Sequence, residues 1–84
     1  MSRVKVYGAD WCEDTQAARE HLQRAGVDYE YVNIEEDEDA SRWVREQNDG
    51  KERKPTIKIN GQVLSTPSAE ELNAALISNE VLKR

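Results

Sequence analysis

The chain has 84 residues, 37% of them hydrophobic and 35% charged, and carries a formal net charge of −5. That length makes one domain with a small core, and the acidic balance argues against nucleic acid, whose recognition needs a clustered basic surface. No apolar run nears the roughly 20 residues of a membrane span, and no signal-like segment precedes the first strand pattern, so a cytoplasmic protein with no membrane partner is expected.

Arg3 to Tyr7 alternate polar and apolar, with Val4 and Val6 on one face, and predict a strand. Gly8, Ala9 and Asp10 break that pattern. Ala17, Ala18, Leu22 and Ala25 then recur at helical spacing within Glu13 to Ala25, and Gly26 is a stop signal. Val27 to Ile34 has the β propensity of a second strand, through Tyr29, Tyr31, Val32 and Ile34. The acids from Glu35 to Asp39 lead into a second helix, since negative charge suits a helix N-terminus. Its inner stripe is Ala40, Trp43, Val44 and Gln47, and Asn48-Asp49-Gly50 ends it.

Thr56 to Ile59 and Gln62 to Ser65 predict strands joined by Asn60-Gly61, a strong hairpin signal. The last helix starts either at Pro67 behind a Thr66 cap or behind a Ser68–Glu71 capping box. Ala69, Leu72, Ala75 and Leu76 form its apolar face. The order is β-α-β-α-β-β-α, an α/β fold with a four-stranded mixed sheet and helices on both faces, in a single domain over residues 1–84.

The chain has a single cysteine, Cys12, so an internal disulfide is excluded. With His21 alone it cannot complete a closed zinc site, and no metal is expected. Its position gives it interest. Backbone N–H groups and the dipole at a helix N-terminus favour a thiolate, the species that attacks a disulfide. Thr15 lies one turn along, where its hydroxyl can donate to the sulfur. Glu13 and Asp14 suit the first helical turn but oppose thiolate formation by like charge. His21 and Trp43 are expected to be partly buried and core residues respectively.

Trp11-Cys12-Glu13-Asp14-Thr15, following the first strand and opening the first helix, resembles the active-site motif of glutaredoxins. Pro55, just before the third strand, stands where thioredoxin-fold redox proteins carry a cis-proline. The resemblance runs over the whole chain in element order and length, and implies a thioredoxin-like fold of the glutaredoxin type. It implies Cys12 as nucleophile and a cis Lys54–Pro55 bond against Cys12 with the Lys54 backbone free to pair with substrate; Thr15, by its place one turn along, is the expected catalytic partner. Trp11 would shield the sulfur or pack on a partner.

Dithiol glutaredoxins carry a second cysteine where this chain has Thr15, so the resemblance implies a monothiol route. Its partners are a disulfide-containing or thiolated protein and a low-molecular-weight thiol, glutathione or an equivalent, as co-substrate with no tightly bound cofactor. The family's usual glutathione contacts are altered. Ala9 replaces a common lysine, Arg53-Lys54 replaces Thr-Val before the proline, and Ser65-Thr66 replaces a glycine pair. Ser65 and Thr66 still offer donors for a carboxylate, and Lys51, Arg53 and Lys54 offer charge for another. Lys54 is also in place to offset Glu13 and Asp14. The competing class is a binding protein, either an iron–sulfur carrier sharing a cluster across a dimer or a redox-inactive adaptor. Cluster-binding monothiol members have Gly, Phe and Ser where Glu13, Asp14 and Thr15 stand, and two carboxylates beside an anionic cluster disfavour it. Nothing in the sequence compels more than a monomer.

Overall fold

The computed structural model describes residues 3–83. In chain order its elements are β1 (Val4–Gly8), α1 (Glu13–Arg24), β2 (Glu30–Asn33), α2 (Glu38–Gln47), β3 (Thr56–Ile59), β4 (Gln62–Ser65) and α3 (Ala69–Ser78). The strands lie side by side as β2-β1-β3-β4. β1 runs parallel to β2, with Val6 opposite Tyr31, because the α1 crossover returns the chain to the same end of the sheet. It runs antiparallel to β3, with Val6 opposite Ile57. Asn60, at φ 54, and Gly61 close the β3–β4 hairpin as the dipeptide predicts.

Alternation along the strands divides the apolar side chains between the two faces of the sheet. Val4 and Val6 of β1, with Ile57 and Ile59 of β3, pack against Leu22 of α1 and Leu72 and Leu76 of α3. Tyr7 points the other way, onto Ile34 and Val44, with the Trp43 ring 4.6 Å from its own. α1 and α3 thus cover one face and α2 the other. Among the described residues no helix is long and apolar enough to cross a membrane.

Some expectations change in detail. β2 begins at Glu30 instead of Val27, because the chain is still closing α1 at that point. Gly26 and Val27 donate their N–H groups back to Gln23 and Leu22, so Val27 enters the core before the ladder starts. On α2, Gln47 is exposed, and the polar Ser41 and Asn48 are buried instead. Both have partners that permit this. The Ser41 hydroxyl donates to Glu52 at 2.7 Å, and the Asn48 amide donates to the Val44 carbonyl at 2.7 Å.

α3 starts behind Ser68 and not at Pro67. Ser68 Oγ accepts the Glu71 N–H at 3.1 Å while the Glu71 carboxylate accepts the Ser68 N–H at 2.8 Å. Ala17 and Ala69, expected on the inner faces of α1 and α3, are exposed. His21 is half-buried as expected and joins α1 to α3 through the Asn73 side chain at 2.7 Å.

Candidate active site

β1 ends at Gly8, a position where nothing larger fits. A Cβ on Gly8 would overlap the side chain of Thr15, which is fully buried against it. The chain then turns, the Cys12 N–H bonds the Ala9 carbonyl at 3.1 Å, and α1 begins. Cys12 holds the N-cap position in extended backbone (φ −80, ψ 119), without a side-chain cap hydrogen bond. A half-buried sulfur therefore sits where a serine or aspartate oxygen commonly does, beside first-turn N–H groups that lack an intrahelical acceptor. Glu13 and Asp14 lie in the same first turn.

Thr15 departs from expectation. Its Oγ1 accepts the Ala9 N–H at 3.5 Å, and among the described residues it makes no hydrogen bond to Cys12.

The Lys54–Pro55 bond is cis, and the Lys54 carbonyl oxygen lies 3.8 Å from Cys12 Sγ. The buried Pro55 accepts the Thr66 N–H at 2.8 Å, which ties the β4–α3 turn to the same place. The Lys54 ammonium is engaged elsewhere than expected. It pairs with Glu52 at 3.2 Å and stands 5.3 Å from the centre of the Trp11 ring, within cation–π range. It does not pair with Glu13 or Asp14 among the described residues.

Trp11 is 63% exposed, yet it is fixed, because its Nε1 donates to the Glu35 carboxylate at 2.9 Å. Glu52 is held from both sides. The hydrogen bonds from Ser41 and then Lys54 keep its carboxyl below the ordinary value of 4.5, and Arg45 adds an ion pair at 3.7 Å. This pins the loop of residues 51–54 onto α2. At the opposite rim the Tyr31 hydroxyl donates to Asp10 at 2.7 Å. Burial first, and that bond second, push the Tyr31 hydroxyl up to about 12.

The expected substrate-binding residues fall into separate groups. Trp11 precedes Cys12 in the chain, and the Lys54–Pro55 segment meets it through the Lys54 carbonyl, 3.8 Å from Sγ. Arg53, Ser65 and Thr66 line a hollow of about 410 Å³ with Lys51, between the end of α2 and the β4–α3 turn. Thr66, at φ 44, also walls a second cleft of about 390 Å³ between α1 and α3, which reaches Pro55 and Asp14. Sequence reasoning missed Glu35 and Glu52 as organising residues. Glu35 reads locally as the start of an acidic run, and its bond to Trp11 spans 24 positions. Glu52 left one signal, an acid inside the basic cluster Lys51-Glu52-Arg53-Lys54.

The glutaredoxin family model matches residues 4–64, from β1 into β4. The chain belongs to the glutaredoxin family. Mycoredoxin 1 of Corynebacterium glutamicum is 32% identical to it over 77 residues, covering 90% of this chain and 95% of the relative. The fold of this glutaredoxin matches the crystal structure of a thioredoxin-like protein with a TM-score of 0.80 at 26% identity, over 90% of this chain and 96% of that one. The glutaredoxin of Archaeoglobus fulgidus shares the fold at a TM-score of 0.72 and 23% identity, over 88% of this chain and 85% of that one. The family is one of thiol–disulfide oxidoreductases that work with low-molecular-weight thiols.

Proposed function

We propose that this glutaredoxin works by a monothiol route with Cys12 as its nucleophile. The observation that supports the reading is the place of the chain's one cysteine, at the N-cap of α1 and 3.8 Å from the Lys54 carbonyl, with Thr15 where a second thiol would stand. The Cys12 thiolate attacks the small-thiol sulfur of a mixed disulfide. The protein substrate leaves as a thiolate and takes a proton from water, and Cys12 keeps the small thiol as a disulfide. A second small thiol, as thiolate, attacks that adduct and departs as the oxidised dimer, which restores Cys12. No resolving cysteine enters the cycle.

Trp11 and Lys54 wall the sulfur, and the Lys54–Pro55 backbone docks the extended part of the substrate. Thr15 is a positioning residue that acts through Ala9. Lys51 and Arg53, with Ser65 and Thr66, take the carboxylates of the small thiol in the hollow that they line. A thiol with carboxylates, glutathione or an equivalent, fits that chemistry, and the cytoplasm is the reducing compartment that would supply it. The protein acts as a monomer, without a tightly bound cofactor.

Turnover of hydroxyethyl disulfide with glutathione, cysteine, coenzyme A and mycothiol in parallel tests this. One thiol is expected to support catalysis that Cys12→Ser abolishes. Arg53→Ala should raise KM for that thiol by about tenfold, the usual worth of one charge-assisted contact, with kcat little changed. Failure of all the thiols would leave the binding-protein reading in its place.

A further inference from the structure

A mixed disulfide has two halves, and at the sulfur of Cys12 they must lie in different directions. The hollows on either side of Thr66 differ in chemistry. The one lined by Lys51 and Arg53 also carries Asp49 and is basic on balance. The cleft between α1 and α3 has an apolar floor of Ala18, Pro55, Pro67 and Leu72, and its mouth carries the carboxylates of Asp14 and Glu71. Among the described residues no lysine or arginine lines it; the His21 imidazole does, bonded to the Asn73 side chain. The hydrogen bonds from Ser68 hold the Glu71 carboxyl below its ordinary value, so it faces the cleft as an anion. Glu13 and Glu70 add further negative charge in the same helical turns.

The cleft also accounts for a misfit between sequence and fold. Ala17 and Ala69 have helical spacing that predicts burial, but both are exposed, and both line this cleft. Along the chain its lining adjoins the reacting centre. Asp14 is two residues beyond Cys12, and Pro55 follows the carbonyl that approaches Sγ.

We propose that the α1–α3 cleft docks the protein half of the substrate, as an extended segment carrying an apolar side chain beside lysine or arginine near its reactive cysteine. The apolar side chain covers the floor, and the cation meets Asp14 and Glu71. The identity of this partner as a disulfide-bearing protein rests on the monothiol reading, whereas the preference for basic over acidic segments rests on the cleft alone.

Fluorescence anisotropy with labelled peptides tests it, serine replacing the reactive cysteine and leucine flanked by lysine in one peptide and by glutamate in the other. At low salt the lysine peptide should bind about tenfold tighter, the scale expected of two solvent-facing ion pairs, and added salt should erode the difference. The ratio should fall towards one in Asp14→Asn/Glu71→Gln, where glutamine at position 71 can still complete the capping box. Ala17→Arg, on an exposed helical position, should weaken the lysine peptide's binding and remove the preference. Equal binding by the wild type, or a preference that survives these changes, overturns the proposal. Binding needs no thiol exchange, so loss of turnover alone reports on Cys12, and loss of the lysine preference alone reports on the cleft.

Discussion

Cys12 owes its surroundings to small residues nearby. Gly8 leaves room for Thr15, and Thr15 takes the Ala9 N–H, so the turn that delivers Cys12 to the helix end has one shape. Gly8→Ala should therefore destabilise the protein by about 1–3 kcal/mol, the usual cost of forcing extra volume into a packed site. Adding Thr15→Ala should recover part of that loss. Urea midpoints for the wild type, both single variants and the double variant measure the coupling, and simple additivity would show that the two side chains do not meet. Cys12, Pro55 and Lys54 are legible in the sequence because position relative to a strand and a helix identifies them. The orientation of the Lys54 ammonium is not legible. It depends on Glu52 and Trp11, and the local pattern gives no sign that Trp11 is anchored by Glu35.

Secondary structure was readable wherever the cause is local. The hairpin at Asn60-Gly61 and the capping box at Ser68 and Glu71 are both written in short motifs. Ser68→Ala removes the oxygen that accepts the Glu71 N–H and should cost about 1 kcal/mol, read as a lower urea midpoint with an unchanged slope. What the sequence hides are buried polar residues whose partners come from afar. Ser41 reads as a surface position until Glu52 is brought to it, and Asn48 until Thr56 is. Likewise β2 is shorter than its propensity suggests, because the closing turn of α1 uses the Val27 N–H.

The loop of residues 51–54 gives a pH prediction. Folding lowers the Glu52 carboxyl below 4.5, so its contribution is fully present above that value and is lost as acid titrates the folded carboxyl. Between about pH 7 and about pH 3 the wild type's urea midpoint should fall more steeply than that of Glu52→Gln. Parallel curves would show that Glu52 does not link the loop to acid stability.

Across the whole molecule, the larger apolar cluster under α1 and α3 carries the fold, and the site sits where that face meets the open ends of β1 and β3. Leu22 is fully buried in it, and Leu22→Ala should cost about 2–5 kcal/mol, a large share of the about 5–15 kcal/mol that a domain has in total. Thermal unfolding followed by circular dichroism checks this, and a loss well under 1 kcal/mol would show that α1 is not held through that cluster. The overall fold was legible because the order of elements leaves few ways to connect a small mixed sheet. The division of the site into a basic hollow and an acidic cleft was not, because it appears only when α3 is laid beside α1. The central claim is that Cys12 alone performs the exchange, and intact mass spectrometry of the protein after exposure to the oxidised form of its preferred small thiol tests that most directly. The account predicts one adduct of that thiol on Cys12, released quantitatively when the reduced thiol is added, and none on Cys12→Ser. A protein that stays unmodified under those conditions, or whose adduct the reduced thiol cannot release, would contradict it.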